Sequence, residues 1–224
     1  GCGIYRHVWL TKTMKTAYIP QWGQYVATSP QGDVRVKVDF AASGNKMKLS
    51  VRNTIYDAAG KMVAKSQGVR EQKLKVKNPH LWDIGKGYLY TVKSELVVNG
   101  KVVDVATTTA GFRDVKFDAK KGFFLNGKNL KINGVCEHHD FGCLGAAVNE
   151  DAMHRKLTIL RDMGVNAIRS SHNPPAPELL NMCDSMGFLV MDESFDMWRR
   201  KKSNGDYARF FDEWHKKDLS DLIK

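Results

Sequence analysis

Apolar and polar residues alternate along the first half of the chain. In residues 33–40 (DVRVKVDF), Val34, Val36, Val38 and Phe40 fall on one side and the charges on the other. That is the pattern of a strand with one buried face. Met47, Leu49 and Val51 repeat with period two in residues 46–57, and residues 88–98 are rich in aromatic and β-branched side chains. Turn signals separate these runs at residues 42–45 and 57–61. A third lies at residues 97–104 (VVNGKVVD), where Asn99 and Gly100 between apolar flanks predict a two-residue hairpin. About seven short strands over roughly a hundred residues predict an antiparallel, immunoglobulin-like β-sandwich. The Cys–Trp–Cys spacing of a true immunoglobulin domain is absent, so Trp82 is expected in the core or at a domain contact.

Beyond residue 112 the period changes. Residues 130–135 (LKINGV) predict a strand and residues 149–164 a helix. Asn149 would cap that helix, Glu150 and Asp151 suit its positive end, and Gly164 would end it. Met153, Leu157, Leu160 and Met163 would form its apolar stripe. A strand at 165–172, a helix at 176–187 with Pro177 in its first turn, a strand at 188–193 and a helix at 210–224 follow. Residues 162–169 and 185–192 echo each other, each leaving a helix at Met-Gly and entering a strand that ends in charge. This predicts repeated βα units on a parallel sheet. Three such units do not close an eight-stranded barrel, and the third strand would show an unpaired edge. A homodimer through that truncated barrel, domain swapping, or disorder of the C-terminal third is therefore expected.

The polar clusters collect at the ends of these strands. Glu137, His138, His139 and Asp140 follow the first; Arg169, Ser170, Ser171, His172 and Asn173 end the second; Asp192, Glu193 and Asp196 follow the third. In a parallel βα sheet these ends share one edge, where ligands bind. No glycine-rich phosphate loop follows a strand, which disfavours a nucleotide. A Ser–His–Asp site from Ser170 or Ser171, His172 and Asp192 lacks the nucleophile elbow, and adjacent strand residues point to opposite faces. The run 136–143 (CEHHDFGC) sets two cysteines around two histidines. Its six-residue gap between cysteines and the lack of a second pair argue against zinc, so two buried thiols are expected.

Charge and composition add less. The net charge of +11 would suit nucleic acid, but the lysines are spread as on a solvated face, and only residues 199–202 (RRKK) are dense. No nucleic-acid motif accompanies them. No apolar run reaches the length of a membrane span and no leader is visible, so a soluble protein with no membrane partner is expected, its compartment, cytoplasm or periplasm, left open.

Residues 123–148 (FFLNGKNLKINGVCEHHDFGCLGAAV) and 160–198 (LRDMGVNAIRSSHNPPAPELLNMCDSMGFLVMDESFDMW) closely resemble the opening of the catalytic barrel of family 2 glycoside hydrolases, most of all bacterial β-galactosidases. Residues 3–10 (GIYRHVWL) resemble the end of the family's sugar-binding jelly roll. The resemblance implies an interior piece: residues 1–17 the tail of that jelly roll or linker, 18–111 the sandwich, and 112–224 the first three βα units of the (β/α)8 catalytic barrel, a TIM barrel. It implies a retaining β-glycosidase acting on terminal β-linked sugars. His138, Arg169, His172 and Asp196 would bind substrate, and Asp192 and Glu193 would support the pocket. Alternation lets only one of the two adjacent histidines face the barrel mouth, and His138 is preferred. Arg169 would also pair with Asp192 or Glu193 across strands. Trp198 is open to two readings, stacking on a sugar or packing under its loop.

Some members of the family hold a divalent metal shortly after this Asp-Glu pair. Met197 and Arg199 stand at about those positions here, so no metal or other cofactor is expected. Retaining glycosidases need two carboxyl groups ~5–5.5 Å apart. The family takes them from later strands, and the Asn149–Glu150 pair opens a helix instead, so this chain alone is expected to be inactive. A non-catalytic carbohydrate-binding or scaffold module is the alternative.

Overall fold

The computed structural model describes residues 4–44 and 47–223. Asn45, in the turn expected at residues 42–45, and Lys46, which opens the run 46–57, lie outside the described residues, as do Gly1, Cys2, Gly3 and Lys224. The chain divides into two compact units, one of residues 9–131 and one of residues 132–224 together with residues 1–8.

In the first unit the strands are β1 (Ala17–Tyr18), β2 (Gln24–Thr28), β3 (Asp33–Val38), β4 (Ala41–Ala42), β5 (Leu49–Tyr56), β6 (Met62–Gly68), β7 (Glu71–Lys75), β8 (Tyr90–Val98) and β9 (Lys101–Ala110). A four-stranded sheet in the order β6-β5-β8-β9 and a three-stranded sheet β2-β3-β7, antiparallel throughout, make an immunoglobulin-like sandwich. Val34, Val36 and Val38 enter one core with Val51, Ile55, Val92 and Leu96. Asn99 and Gly100 join β8 to β9 at φ 51° and 83°, the left-handed geometry that selects Asn-Gly in a tight hairpin. Simple alternation fails at Asn53, which is fully buried on β5. Its Oδ1 accepts from Ser94 Oγ at 2.6 Å, and Ser94 Oγ accepts from Gln24 Nε2 at 2.7 Å, while its Nδ2 is buried without a hydrogen-bond partner. Trp82 is buried, and its backbone N–H donates to the Phe112 carbonyl at 2.8 Å.

A small antiparallel sheet ends this unit: β10 (Val115–Asp118), β11 (Gly122–Leu125) and β12 (Lys128–Asn129). It takes up part of the segment expected as a strand at 130–135. The Leu130 N–H donates to the Phe123 carbonyl at 2.9 Å, so Leu130 belongs to this hairpin. The parallel strand starts only at Gly134.

The second unit alternates β13 (Gly134–Glu137), α1 (Glu150–Asp162), β14 (Ala167–Ser170), α2 (Pro177–Met186), β15 (Leu189–Met191) and α3 (Phe211–Ile223). The strands are parallel in the order β13-β14-β15, with Cys136 beside Arg169 and Arg169 beside Met191. Asn149 Oδ1 accepts the Ala152 N–H at 2.9 Å and so caps α1, and Gly187 ends α2 in the left-handed region. One sheet face carries Val135, Ile168 and Val190 against Leu157, Leu160, Cys183 and Met186 of the helices. Met163 is a correction: it is 72% exposed, because α1 ends at Asp162 and its stripe stops at Leu160. The strand expected at 188–193 is confined to Leu189–Met191, with Phe188 buried in the helix-side core.

Residues 4–8 pack within this second unit. Arg6 donates to the Pro174 carbonyl at 2.6 Å and to that of Pro175 at 3.4 Å, and the Tyr5 carbonyl accepts the Val148 N–H at 3.1 Å.

Candidate functional site

The register of the parallel sheet decides which polar side chains meet. Residues two apart on a strand share a face. Val135, Ile168 and Val190 are spent on the helices, so Cys136, Arg169 and Met191 lie on the other face. Two residues past Met191 comes Glu193, on the same side as Arg169. Asp192 comes one residue past and turns the other way, toward Ser170.

The contacts follow that parity. Arg169 Nε donates to Glu193 Oε1 at 2.6 Å, and a second guanidinium nitrogen also meets that carboxylate. His172 Nδ1 lies 2.9 Å from Glu193 Oε2. Arg169 also donates to Cys136 Sγ at 3.1 Å. On the opposite side Ser170 Oγ donates to Asp192 Oδ1 at 3.1 Å and accepts the Glu193 N–H at 2.9 Å. Ser170 is thereby committed to Asp192 and to backbone, and it makes no bond to a histidine. Ser170 is therefore not part of a Ser–His–Asp relay.

These contacts set the charges. Partial desolvation pulls the Glu193 carboxyl upward, but hydrogen bonds from His172 and Arg169 hold it below the usual carboxylate range. Asp192 is pushed up by partial burial, against the pull of the Ser170 hydroxyl. The Asp192 residue as a whole stays more exposed than buried, so the shift implies no large stability term. The Cys136 thiol is drawn down, first by Arg169 and then by Ser171. Burial pushes Cys183 up to about 12. Cys136 and Cys143 are both exposed, which corrects the expectation of two buried thiols. Cys136 follows the face of Arg169, away from the helices, and Cys143 sits in a short 3-10 turn at Gly142–Leu144.

The two neighbouring histidines separate. His138 is exposed and its ring meets that of His172 edge to face, with centroids 5.3 Å apart. His139 turns away, between the rings of Tyr5 at 5.6 Å and Phe141 at 6.0 Å. Burial, then the Arg6 charge, lowers its pKa, so it is held neutral. Glu137 points to the helix side, where Lys156 Nζ reaches it at 2.6 Å.

Arg169, His172, Asp192, Glu193, Asp196, Trp198 and Lys202 line a cleft of about 460 Å³. Asp196 there pairs with Lys202 Nζ at 2.5 Å. The structure thus brings Arg169, His172, Asp192, Glu193 and Asp196 to one cleft, with His138 beside His172 and the Asp192 carboxylate bonded to Ser170. Lys202 was not anticipated as a site residue, and Ser170 and Cys136 were weighed only for a Ser–His–Asp relay and a zinc site. For Cys136 the strand register carried the signal; for Lys202, in an irregular loop, no spacing rule applied.

No group of three or more His, Cys, Asp or Glu side chains among the described residues could hold a metal ion. Arg199, near the position in question, donates to Asp212 at 2.7 Å. No helix among the described residues is long and apolar enough to cross a membrane.

Comparison with known proteins gives a consistent result. The model of glycosyl hydrolases family 2 matches residues 18–113, and that of the family's TIM barrel domain matches residues 115–214. The chain is 50% identical to the β-galactosidase BoGH2A of Bacteroides ovatus over the whole of this chain and 28% of that protein. It is 38% identical to a putative β-glucuronidase of Formosa agariphila over the whole chain and 22% of that protein. A family 2 member from Bacteroides cellulosilyticus superposes with a TM-score of 0.84 at 36% identity, covering 92% of this chain and 29% of that one. A β-glycosidase from Bacteroides vulgatus gives the same TM-score at 34% identity. The chain therefore spans less than a third of the length of these relatives.

Proposed function

This chain belongs to glycosyl hydrolase family 2, and from that premise we infer that it supplies the substrate-holding wall of a longer retaining β-glycosidase, with a β-galactoside as substrate. The observation that carries the reading is the Arg169–Glu193–His172 cluster at the strand ends, open to a cleft.

Its chemistry suits a neutral sugar. In the tautomer whose Nδ1 donates to Glu193, the Nε2 of His172 is left to accept a hydroxyl proton. Arg169 keeps the carboxylate charged and fixed, so its remaining lone pairs also face hydroxyl donors. The cleft's cations are already matched: Arg169 by Glu193 and Lys202 by Asp196. Among the described residues lining the cleft, no spare positive charge awaits a uronate carboxylate, which would meet Glu193 and Asp196 instead. A like-charge approach of this kind costs several kcal/mol.

The cluster holds substrate without the pair that cleaves it. Asp192 and Glu193 are adjacent and bonded on opposite sides, to Ser170 and Arg169, so they do not flank one glycosidic bond. Glu137 is committed to Lys156 and Asp196 to Lys202. The nucleophile and the acid/base are assigned to other parts of the enzyme, and this chain by itself is expected to be inactive.

The sugar assignment is tested with the full-length protein on matched p-nitrophenyl β-galactoside and β-glucuronide. We expect kcat/KM to favour the galactoside by about 10²-fold or more. A preference for the glucuronide would reject the neutral-sugar assignment.

A further inference from the structure

We propose that Trp198 is an aromatic platform for the leaving-group side of the substrate, so that a ring-bearing leaving group is selected over a small alkyl one. The inference rests on the β-glycosidase reading above and adds a specificity-determining residue to it.

Trp198 lies in the loop beyond β15, at the rim of the cleft that holds Arg169, His172 and Glu193. It is 65% exposed, an unusual position for the largest apolar side chain, yet the ring is not loose. One face stacks on Phe211, with centroids 5.8 Å apart and planes at 14°. Phe211 is buried and is itself stacked on His215 at 4.6 Å and 7°, and met edge-on by Phe195 at 5.5 Å. The indole is thus backed by a layered aromatic stack anchored on α3, while the ring stays exposed and lines the cleft.

This combination identifies the occupant by chemistry. The strand-end groups and the Asp196–Lys202 pair bind hydroxyls, while the open indole face binds carbon. A sugar ring presents both, hydroxyls at its edge and C–H bonds on its face. An aryl ring shares the flat face alone. A platform already fixed by stacking loses little freedom when a ring settles on it, so most of the contact appears as affinity. Because Trp198 stands at the rim and Arg169 at the strand ends, the terminal sugar goes to the cluster and the ring attached to it goes to the indole.

The test compares lactose, phenyl β-galactoside and methyl β-galactoside on the full-length protein, with Trp198→Leu and Trp198→Tyr. For Trp198→Leu the preference in kcat/KM for either ring-bearing substrate over the methyl glycoside should fall by about tenfold. Trp198→Tyr should restore most of it. A larger loss for lactose than for the phenyl glycoside marks a sugar as the natural occupant, and the reverse marks an aryl group. An unchanged preference in Trp198→Leu overturns the platform while leaving the glycosidase reading intact. A second measurement covers a protein without hydrolysis: oxidation of Trp198 by N-bromosuccinimide, followed by peptide mass spectrometry, with and without lactose. Protection of Trp198 without turnover keeps the platform and removes the glycosidase reading; neither protection nor turnover removes both.

Discussion

Replacing Arg169 with methionine in the full-length protein is expected to lower kcat/KM for a β-galactoside by about 10²-fold, the size of a misplacement of substrate by about an ångström. Arg169 joins three groups of the cleft face: Glu193, Cys136 and, through the shared carboxylate, His172. Methionine keeps much of the stem's volume and removes the charge, so the loss reports positioning rather than a hole. The pH profile gives the separate signature. Glu193 is held below the usual carboxylate range by His172 and Arg169. An acid with a depressed folded pKa contributes its charged-state interactions above that pKa and loses them as pH falls through it. Without Arg169 the pKa moves back up, so the acidic limb of kcat/KM should shift to higher pH. An unshifted limb with a 10²-fold loss would mean that Arg169 acts by something other than holding Glu193. Arg169→Lys should rescue only part of the activity, because one ammonium does not reproduce the fork that reaches both Glu193 and Cys136.

Replacing Trp82 with alanine is expected to cost the sandwich unit about 3–5 kcal/mol, the range for emptying a buried large aromatic site. Trp82 is only 2% exposed. Arg113 lies over its ring at 4.8 Å, Gly111 abuts its Cβ, and its carbonyl accepts from Asn126 Nδ2 at 2.9 Å. The residue therefore ties the end of β9 to the β10–β12 hairpin. A Cβ on Gly111 would approach the Trp82 side chain to 3.2 Å, so the indole occupies space kept open by a glycine. Urea denaturation followed by circular dichroism measures the effect. A loss below about 1 kcal/mol would show that the site collapses around the missing ring or that Trp82 is peripheral to the cooperative unit.

The sandwich was legible from the sequence because alternation and turn chemistry agreed. At Val34, Val36 and Val38 every second side chain is buried, and at Asn99 and Gly100 the turn demands left-handed backbone that those residues adopt at low cost. Asn53 was not legible, since its burial depends on Ser94, which lies on another strand. The same division holds in the βα unit. Helix caps and glycine stops are local, and Asn149 and Gly187 act where the sequence places them. The start of the first parallel strand is not local: Leu130 is captured by Phe123, a partner whose pull no periodicity within 130–135 reveals.

For the site, the sequence alone left Arg169 with two candidate partners. Register resolves them. Once Arg169 is aligned with Met191, parity sends Glu193 to the arginine and Asp192 to Ser170. The same parity exposes Cys136, which the sequence analysis expected as a buried thiol. Lys202 needed the loop's path, because its bond to Asp196 spans an irregular segment.

The central claim is that this chain holds a sugar but lacks the carboxylate pair that cleaves its bond. The most direct measurement is release of p-nitrophenol from p-nitrophenyl β-galactoside by the purified 224-residue chain, run beside the full-length protein at equal molarity. We predict turnover by the full-length protein and none above background by the chain. Turnover by the chain, abolished by Glu193→Gln, would place a working carboxylate pair within these residues and contradict the account.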